Sequence, residues 1–169
     1  ILDKDGKPLE LSLLTYATRP GLVPVAEALI GELASIGVRA NLDVLEWGAI
    51  EKRRSEGDWD MVLFATNSAL IPDPRYYLER SYGTGGSYNY VGYSNPRVDE
   101  LLSESMETRD MEERYDLLRE VQSITQEEAI NLVIAHYGMV VAQRDSIKGF
   151  EFYPTAHDYR LNPEMDIED

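Results

Sequence analysis

The sequence predicts an α/β fold in which a mixed sheet is flanked by helices. Three observations carry that expectation. Leu9, Leu11 and Leu13 alternate with polar neighbours, as do Val38, Ala40, Leu42 and Val44; between them Leu22, Ala26, Leu29, Ile30, Leu33 and Ile36 recur at helical spacing. Asp60 introduces Met61-Val62-Leu63-Phe64-Ala65, an uninterrupted apolar run of the kind a central strand covered on both faces carries. Farther on, two helical patterns each follow an N-terminal cap.

In chain order, Asp5-Gly6-Lys7-Pro8 is turn chemistry before a half-buried first strand, which Arg19-Pro20-Gly21 breaks. The first helix ends at Gly37, where a C-cap glycine belongs, and the second strand makes the whole a β-α-β unit. Such units are usually parallel and right-handed. Residues 49–56 read as a short helix closed by Gly57. The prolines of Ile71-Pro72-Asp73-Pro74 end regular structure, and Ser81 to Ser94, rich in Gly, Tyr, Ser and Asn, reads as a long loop. Asn95 caps a helix with Pro96 at its first position and Val98, Leu101, Leu102 and Met106 on one face. Asp110, with Glu113 three residues on, opens another helix running to about Glu128. Leu132 to Ala135 reads as a buried strand, Val140-Val141 as a further one, and 158–169 as a polar tail. With 169 residues and no internal repeat, residues 1–169 are expected to form a single domain.

Composition excludes several functions. There is no cysteine, so disulfides, zinc-thiolate sites and cysteine nucleophiles are out. The net charge of -15, from 31 acids against 16 bases, repels nucleic-acid phosphates. Only Lys4, Lys7, Lys52 and Lys148 are lysines; so acidic and lysine-poor a surface fits either a halophilic source or an ordinary acidic secreted protein. No stretch approaches the roughly 18 apolar residues of a membrane span. The chain starts at Ile1 with no leader pattern, as a piece of a longer protein does, so a missing leader says nothing of compartment.

Catalytic chemistry is thin. His136 and His157 are the only histidines, at no metal-ligand spacing, and His136 reads as a structural histidine ending an apolar strand. No Gly-x-Ser-x-Gly elbow places a nucleophile, and Gly83-Thr84-Gly85-Gly86-Ser87 lacks the lysine and helix of a phosphate loop. Nothing calls for a cofactor. Tyr82, Tyr88, Tyr90 and Tyr93 in the long loop suit either contact with a ligand or partner, or pinning of the loop to the body.

Several segments resemble the extracytoplasmic solute-binding proteins, family 5, that serve ABC importers of peptides, opines and nickel. Residues 33–47 look like that family's helix, Gly-Val turn and strand; Gly57-Asp58-Trp59-Asp60-Met61 looks like its entry to the next strand. Asp73-Pro74, the stretch from Gly92-Tyr93-Ser94-Asn95-Pro96 to Leu102, and Lys148-Gly149-Phe150 are further matches in the same order. The resemblance implies one lobe of a type II periplasmic-binding-protein-like fold, here the C-terminal lobe, with the tail 158–169 returning towards a missing N-terminal lobe. It implies a non-enzymatic protein outside the cytoplasm, in the periplasm or anchored at the outer cell surface. Such a protein captures a solute by two-lobe closure and hands it to ABC permease subunits in the membrane.

Ligands of open α/β sheets lie beyond the carboxyl ends of the strands, here Tyr16 to Arg19 and Thr66 to Ala69. Arg19 is the foremost candidate, because its planar fork can hold a carboxylate and Arg19-Pro20 resembles the dipeptide binder's Arg-Pro. Tyr16, Asn67, Ser68 and Asn89 are the other candidate contacts. Leu70 stands where peptide binders carry an aspartate, and Ser68 where the nickel binder carries tryptophan. A peptide-like or other carboxylate-bearing solute follows; a nickel or metal-chelate binder of the same family is the alternative. A hydrolase and a protein-docking module built on the tyrosine loop are more distant ones.

Overall fold

The computed structural model describes residues 1–2, 5–68, 71–136, 138, 140–151 and 163–167. They fall into two compact units, Ile1–Thr66 and Asn67–Asp169.

The first unit is a parallel β-α-β-α-β array. Strand β1 (Glu10–Tyr16) leads to helix α1 (Leu22–Ser35), β2 (Arg39–Leu45), α2 (Trp47–Glu56) and β3 (Met61–Val62). The sheet order is β2-β1-β3, with Glu10 opposite Arg39 through to Tyr16 opposite Leu45, and Leu13 opposite Met61. The expected central and half-buried strands exchange places. On β1, Leu13 and Thr15 point to one face and Leu14 and Tyr16 to the other, and all four are buried. Flanked by two strands and packed by both helices, β1 cannot present a wet face. Leu14 beside Leu13 already breaks the alternation in the sequence.

The apolar run at 61–65 instead forms the edge of the described sheet. Only Met61–Val62 is a regular strand, prolonged by Leu63 N–H donating to Leu14 O at 2.8 Å and Thr15 Oγ1 donating to Leu63 O at 3.1 Å. The core gathers Leu13, Leu14, Tyr16, Leu22, Ala26, Ile50 and Leu63. Gly57 closes α2 in the left-handed region at φ +71°.

In the second unit α3 (Pro74–Tyr82), α4 (Pro96–Glu107) and α5 (Met111–Glu127) pack around Leu78, Tyr82, Val98, Leu101, Leu102, Leu118 and Val121. Asn95 and Asp110 cap α4 and α5 as expected, each accepting from a backbone N–H in the first turn. Helix α3 is a correction to the expected irregular stretch. Asp73 caps it by accepting from Arg75 N–H at 3.0 Å, and Pro74 sits at its first position, the same chemistry as Asn95-Pro96.

Neither expected strand at 132–135 or 140–141 is present. Leu132 is 80% exposed, Val133 65% and Val140 91%, so the apolar run lies open. The pairing found instead is antiparallel, β4 (Ile147–Lys148) with β5 (Asp166–Ile167), the latter inside the stretch 158–169 that reads as an aperiodic tail. Residues 152–162 of that region lie outside the described residues. Parallel and antiparallel pairing are thus both present, in two sheets, within an α/β fold.

Candidate functional site

In the first unit all three parallel strands point their carboxyl ends to one edge, where an aromatic cluster closes the core. The buried Tyr16 ring meets Trp47 edge-on at 5.1 Å and Phe64 at 5.1 Å; Trp47 and Phe64 are 5.5 Å apart. Tyr16 donates its hydroxyl to Ala65 O at 3.3 Å, a bond to the segment that follows β3. Arg54, ion-paired with Glu51 at 3.0 Å, lies 3.9 Å from the Phe64 ring centre. Trp47 is 48% exposed, so one side of the cluster is open to solvent. Trp47 and Phe64 escaped the sequence reading. The rule that pointed to 16–19 and 66–69 applies equally to the end of β2, which runs into Glu46-Trp47.

Arg19 lies three residues past β1 and is exposed; its guanidinium has no ion-pair or hydrogen-bond partner among the described residues. Arg53 is its opposite. Asp43 at 2.6 Å and Asp58 at 2.9 Å hold it in a salt-bridge cluster, and the hydrogen bond it donates to Asp43 raises its pKa further. At the other end of the sheet, Asp60 is held below the usual carboxylate range by hydrogen bonds from Ser12, first from the backbone N–H at 2.7 Å and then from Oγ at 2.8 Å.

In the second unit Asn67 is half-buried and Ser68 exposed, while Ala69 and Leu70 lie outside the described residues. Asn89 spends its amide within the loop between α3 and α4. Its Nδ2 donates to Gly83 O at 3.0 Å and Tyr93 O at 2.7 Å, and its Oδ1 accepts from Tyr93 N–H at 2.9 Å. Thr84 ties the loop to α4 through Asp99, at 2.8 Å from its N–H and 2.6 Å from its hydroxyl. Tyr93 donates to Glu128 at 2.5 Å, and burial pushes the Tyr93 phenol up. Tyr82 belongs to the helical core, and Tyr88 stacks on Arg80 at 4.0 Å. For Tyr93, pinning the loop is therefore the role the contacts display, whereas Tyr82 is a core residue at the end of α3.

The glycines have the same purpose. A Cβ on Gly83 would stand 2.7 Å from Glu79 O, and one on Gly86 would stand 2.5 Å from Arg80 O. The loop glycines thus pack against carbonyl oxygens of the last turn of α3 and not against the N–H groups that open a helix, so this stretch lacks the N–H cradle of a phosphate loop. Asp73 does more than cap α3: its other oxygen accepts from Arg114 at 2.5 Å, tying α3 to α5. His136 is exposed and ends no strand, so the structural histidine expected there is not found; His157 lies outside the described residues. Among the described residues no cluster of three His, Cys, Asp or Glu side chains could hold a metal ion, and no helix is long and apolar enough to cross a membrane. Around β4 and β5 lies an open hollow of about 510 Å³, lined largely by apolar side chains that include Val141, Phe150 and Met165.

Comparison with known proteins agrees with this architecture. The family model described as bacterial extracellular solute-binding proteins, family 5 Middle, matches residues 1–89. The nickel-binding protein NikA of Staphylococcus aureus is 27% identical over 161 residues, covering 91% of this chain and 32% of the relative. Di/tripeptide-binding protein 2 of Pseudomonas aeruginosa is 31% identical over 158 residues, covering 90% of this chain and 29% of the relative. Among solved structures, S. aureus NikA in complex with Ni(L-His)2 superposes with a TM-score of 0.76 at 25% identity, over 99% of this chain and 35% of that one. OppA of Burkholderia pseudomallei superposes with a TM-score of 0.66 at 27% identity, over 75% of this chain and 24% of that one. The chain thus spans about a third or less of the proteins it matches.

Proposed function

The chain belongs to the bacterial extracellular solute-binding proteins of family 5, and from that premise we propose that it is the C-terminal lobe of a two-lobe binder that delivers solute to an ABC importer. Closure of the two lobes about a hinge traps the solute, and solute favours the closed state by its greater affinity for it. The observation that supports this most is the superposition of nearly the whole chain on about a third of a larger solute binder. The exposed apolar run at Leu132, Val133 and Val140 fits the same reading, because a segment so apolar is stable when something else covers it. The missing N-terminal lobe, towards which the tail 158–169 returns, is what covers it in this account.

The cargo is a peptide-like or other carboxylate-bearing solute. The open Trp47 face and the unengaged Arg19 sit beyond the strand ends, an apolar surface and a cation at the edge where such solutes bind. The similarity to NikA favours a second cargo, a nickel chelate of amino acids, whose carboxylates ask for the same cation. Neither cargo requires covalent chemistry, and the protein is not an enzyme on this account. It works outside the cytoplasm, and the excess of 31 acids over 16 bases fits a source rich in salt.

Mass spectrometry of small molecules co-purifying with the full-length protein tests the reading. A bound peptide, amino-acid chelate or other carboxylate supports it; a full-length protein that binds no member of those classes, in extraction or in a thermal-shift panel, refutes it.

A further inference from the structure

In a chain with 31 acids and 16 bases, a shielded arginine is expected to find a carboxylate. Arg53, Arg54, Arg75 and Arg114, all half-buried or buried, do so through Asp43, Glu51, Glu79 and Asp73. Arg80 is likewise half-buried, on the last turn of α3, and among the described residues it has no carboxylate within ion-pair distance. Its surroundings are hydroxyls and rings. Nε donates to Ser87 Oγ at 2.8 Å, Nη1 donates to the Tyr76 hydroxyl, and the guanidinium carbon lies 4.0 Å from the centre of the Tyr88 ring and 5.0 Å from that of Tyr76.

The proton count is what matters. A guanidinium has five N–H groups, and two are used here, leaving both Nη2 protons and one on Nη1. The Ser87 and Tyr76 oxygens already accept from Arg80, so their own O–H protons point elsewhere, and no described residue accepts either. The cluster is therefore rich in donors and lacks an acceptor, with its cation oriented in advance by two aromatic rings. That is the complement of a carboxylate, which offers lone pairs only and pairs with the planar fork in a bidentate manner. Arg19, by contrast, has nothing to hold it.

We propose that Arg80, Tyr76 and Ser87 form a carboxylate-binding site on this chain, with the guanidinium as anchor and the two hydroxyls as flanking donors. The solute-capture function supplies the source of the carboxylate, and in that respect the inference rests on it; the site itself rests on geometry. A peptide carboxyl end and the carboxylates of an amino-acid metal chelate satisfy the same donors.

The test follows the Arg80 Nε–Hε cross-peak in ¹⁵N spectra of the chain during titration with sodium acetate, with chloride held to matched ionic strength. A saturable shift specific to acetate is expected. Arg80→Lys keeps the charge but loses the fork, and is expected to weaken acetate binding, read from neighbouring amide shifts, by about tenfold to a hundredfold, the range of charge-assisted bonds. Tyr76→Phe and Ser87→Ala, which preserve the packing, are each expected to weaken it by about three- to tenfold. Alanylalanine against its carboxyl-terminal amide, and nickel bis-histidine, then separate the two sources. Chloride reproducing the acetate shift, or an affinity unchanged in Tyr76→Phe and Ser87→Ala, overturns the proposal. In the full-length protein, solute binding unaffected by Arg80→Lys sinks this inference and leaves solute capture standing. Acetate saturation at Arg80 in a full-length protein that binds no solute does the reverse.

Discussion

Replacing Asn89 with alanine decides whether that residue serves the ligand or the loop. The substitution removes three hydrogen bonds, the donations to Gly83 O and Tyr93 O and the acceptance from Tyr93 N–H. At about 1 kcal/mol net for each neutral bond, a fully buried amide would contribute about 3 kcal/mol. Asn89 is half-buried, so water recovers part of this and the expected loss is about 1.5–2.5 kcal/mol. In a chain of this size each kcal/mol moves the melting midpoint by about 2–4 °C, and Asn89→Ala should melt roughly 3–10 °C lower. Neither tryptophan watches this loop from within its own unit, since Trp47 and Trp59 both belong to Ile1–Thr66. Amide hydrogen exchange at Tyr93 does, and it should accelerate as the bond to Oδ1 disappears. The exposed Ser68→Ala is the control, with a change inside about 0.5 kcal/mol. A variant that melts like the parent, with Tyr93 exchange unchanged and solute binding by the full-length protein lost, would refute the structural role and return Asn89 to the ligand.

The remaining expectations concern acid, backbone space and salt. Because Ser12 holds Asp60 below its ordinary pKa, the pair stabilises the fold above the unfolded carboxylate range near pH 4 and is lost as pH falls through the folded value. Ser12→Ala should narrow the gap between urea midpoints at neutral and acid pH, and an unchanged gap would contradict the assignment. Gly86→Ala, whose Cβ would stand 2.5 Å from Arg80 O, should cost more than about 2 kcal/mol, as overpacking against backbone does. Gly85→Ala has open space but φ +73°, so only the left-handed penalty of about 1 kcal/mol applies; the reverse order in urea melts would show the loop is placed wrongly. With a net charge of -15, the midpoint should climb as salt is raised from about 0.1 M, where the Debye length is about 10 Å, to molar levels. Full stability at low ionic strength would sink the halophilic origin.

Much of the first unit was legible because its signals are local. The alternation of β1 and β2 around the helical period of α1 yields the parallel pair, and Gly37 and Gly57 mark helix ends by their positive φ. The Asn95 and Asp110 caps were equally readable. Helix α3 was missed through giving Pro74 weight as a breaker rather than as a first-turn residue behind the Asp73 cap. The run at 132–135 shows a harder limit, since an apolar stretch declares that something must cover it but not what. Around the candidate site, the positions of Tyr16 and Arg19 at and just past the end of β1 were readable, whereas Phe64 against Arg54 is a tertiary contact with no sequence period. Arg80 was invisible for a related reason. Its significance lies in the carboxylate it lacks, and only the folded arrangement reveals which arginines are paired.

Whether this chain is half of a solute clamp is tested most directly by calorimetry on the full-length protein and on the 169-residue chain, with the co-purified solute as titrant. The account predicts tight binding by the full-length protein and weak or undetectable binding by the chain alone, because closure of two lobes contributes the differential affinity. Equal, tight binding by the isolated chain would contradict it.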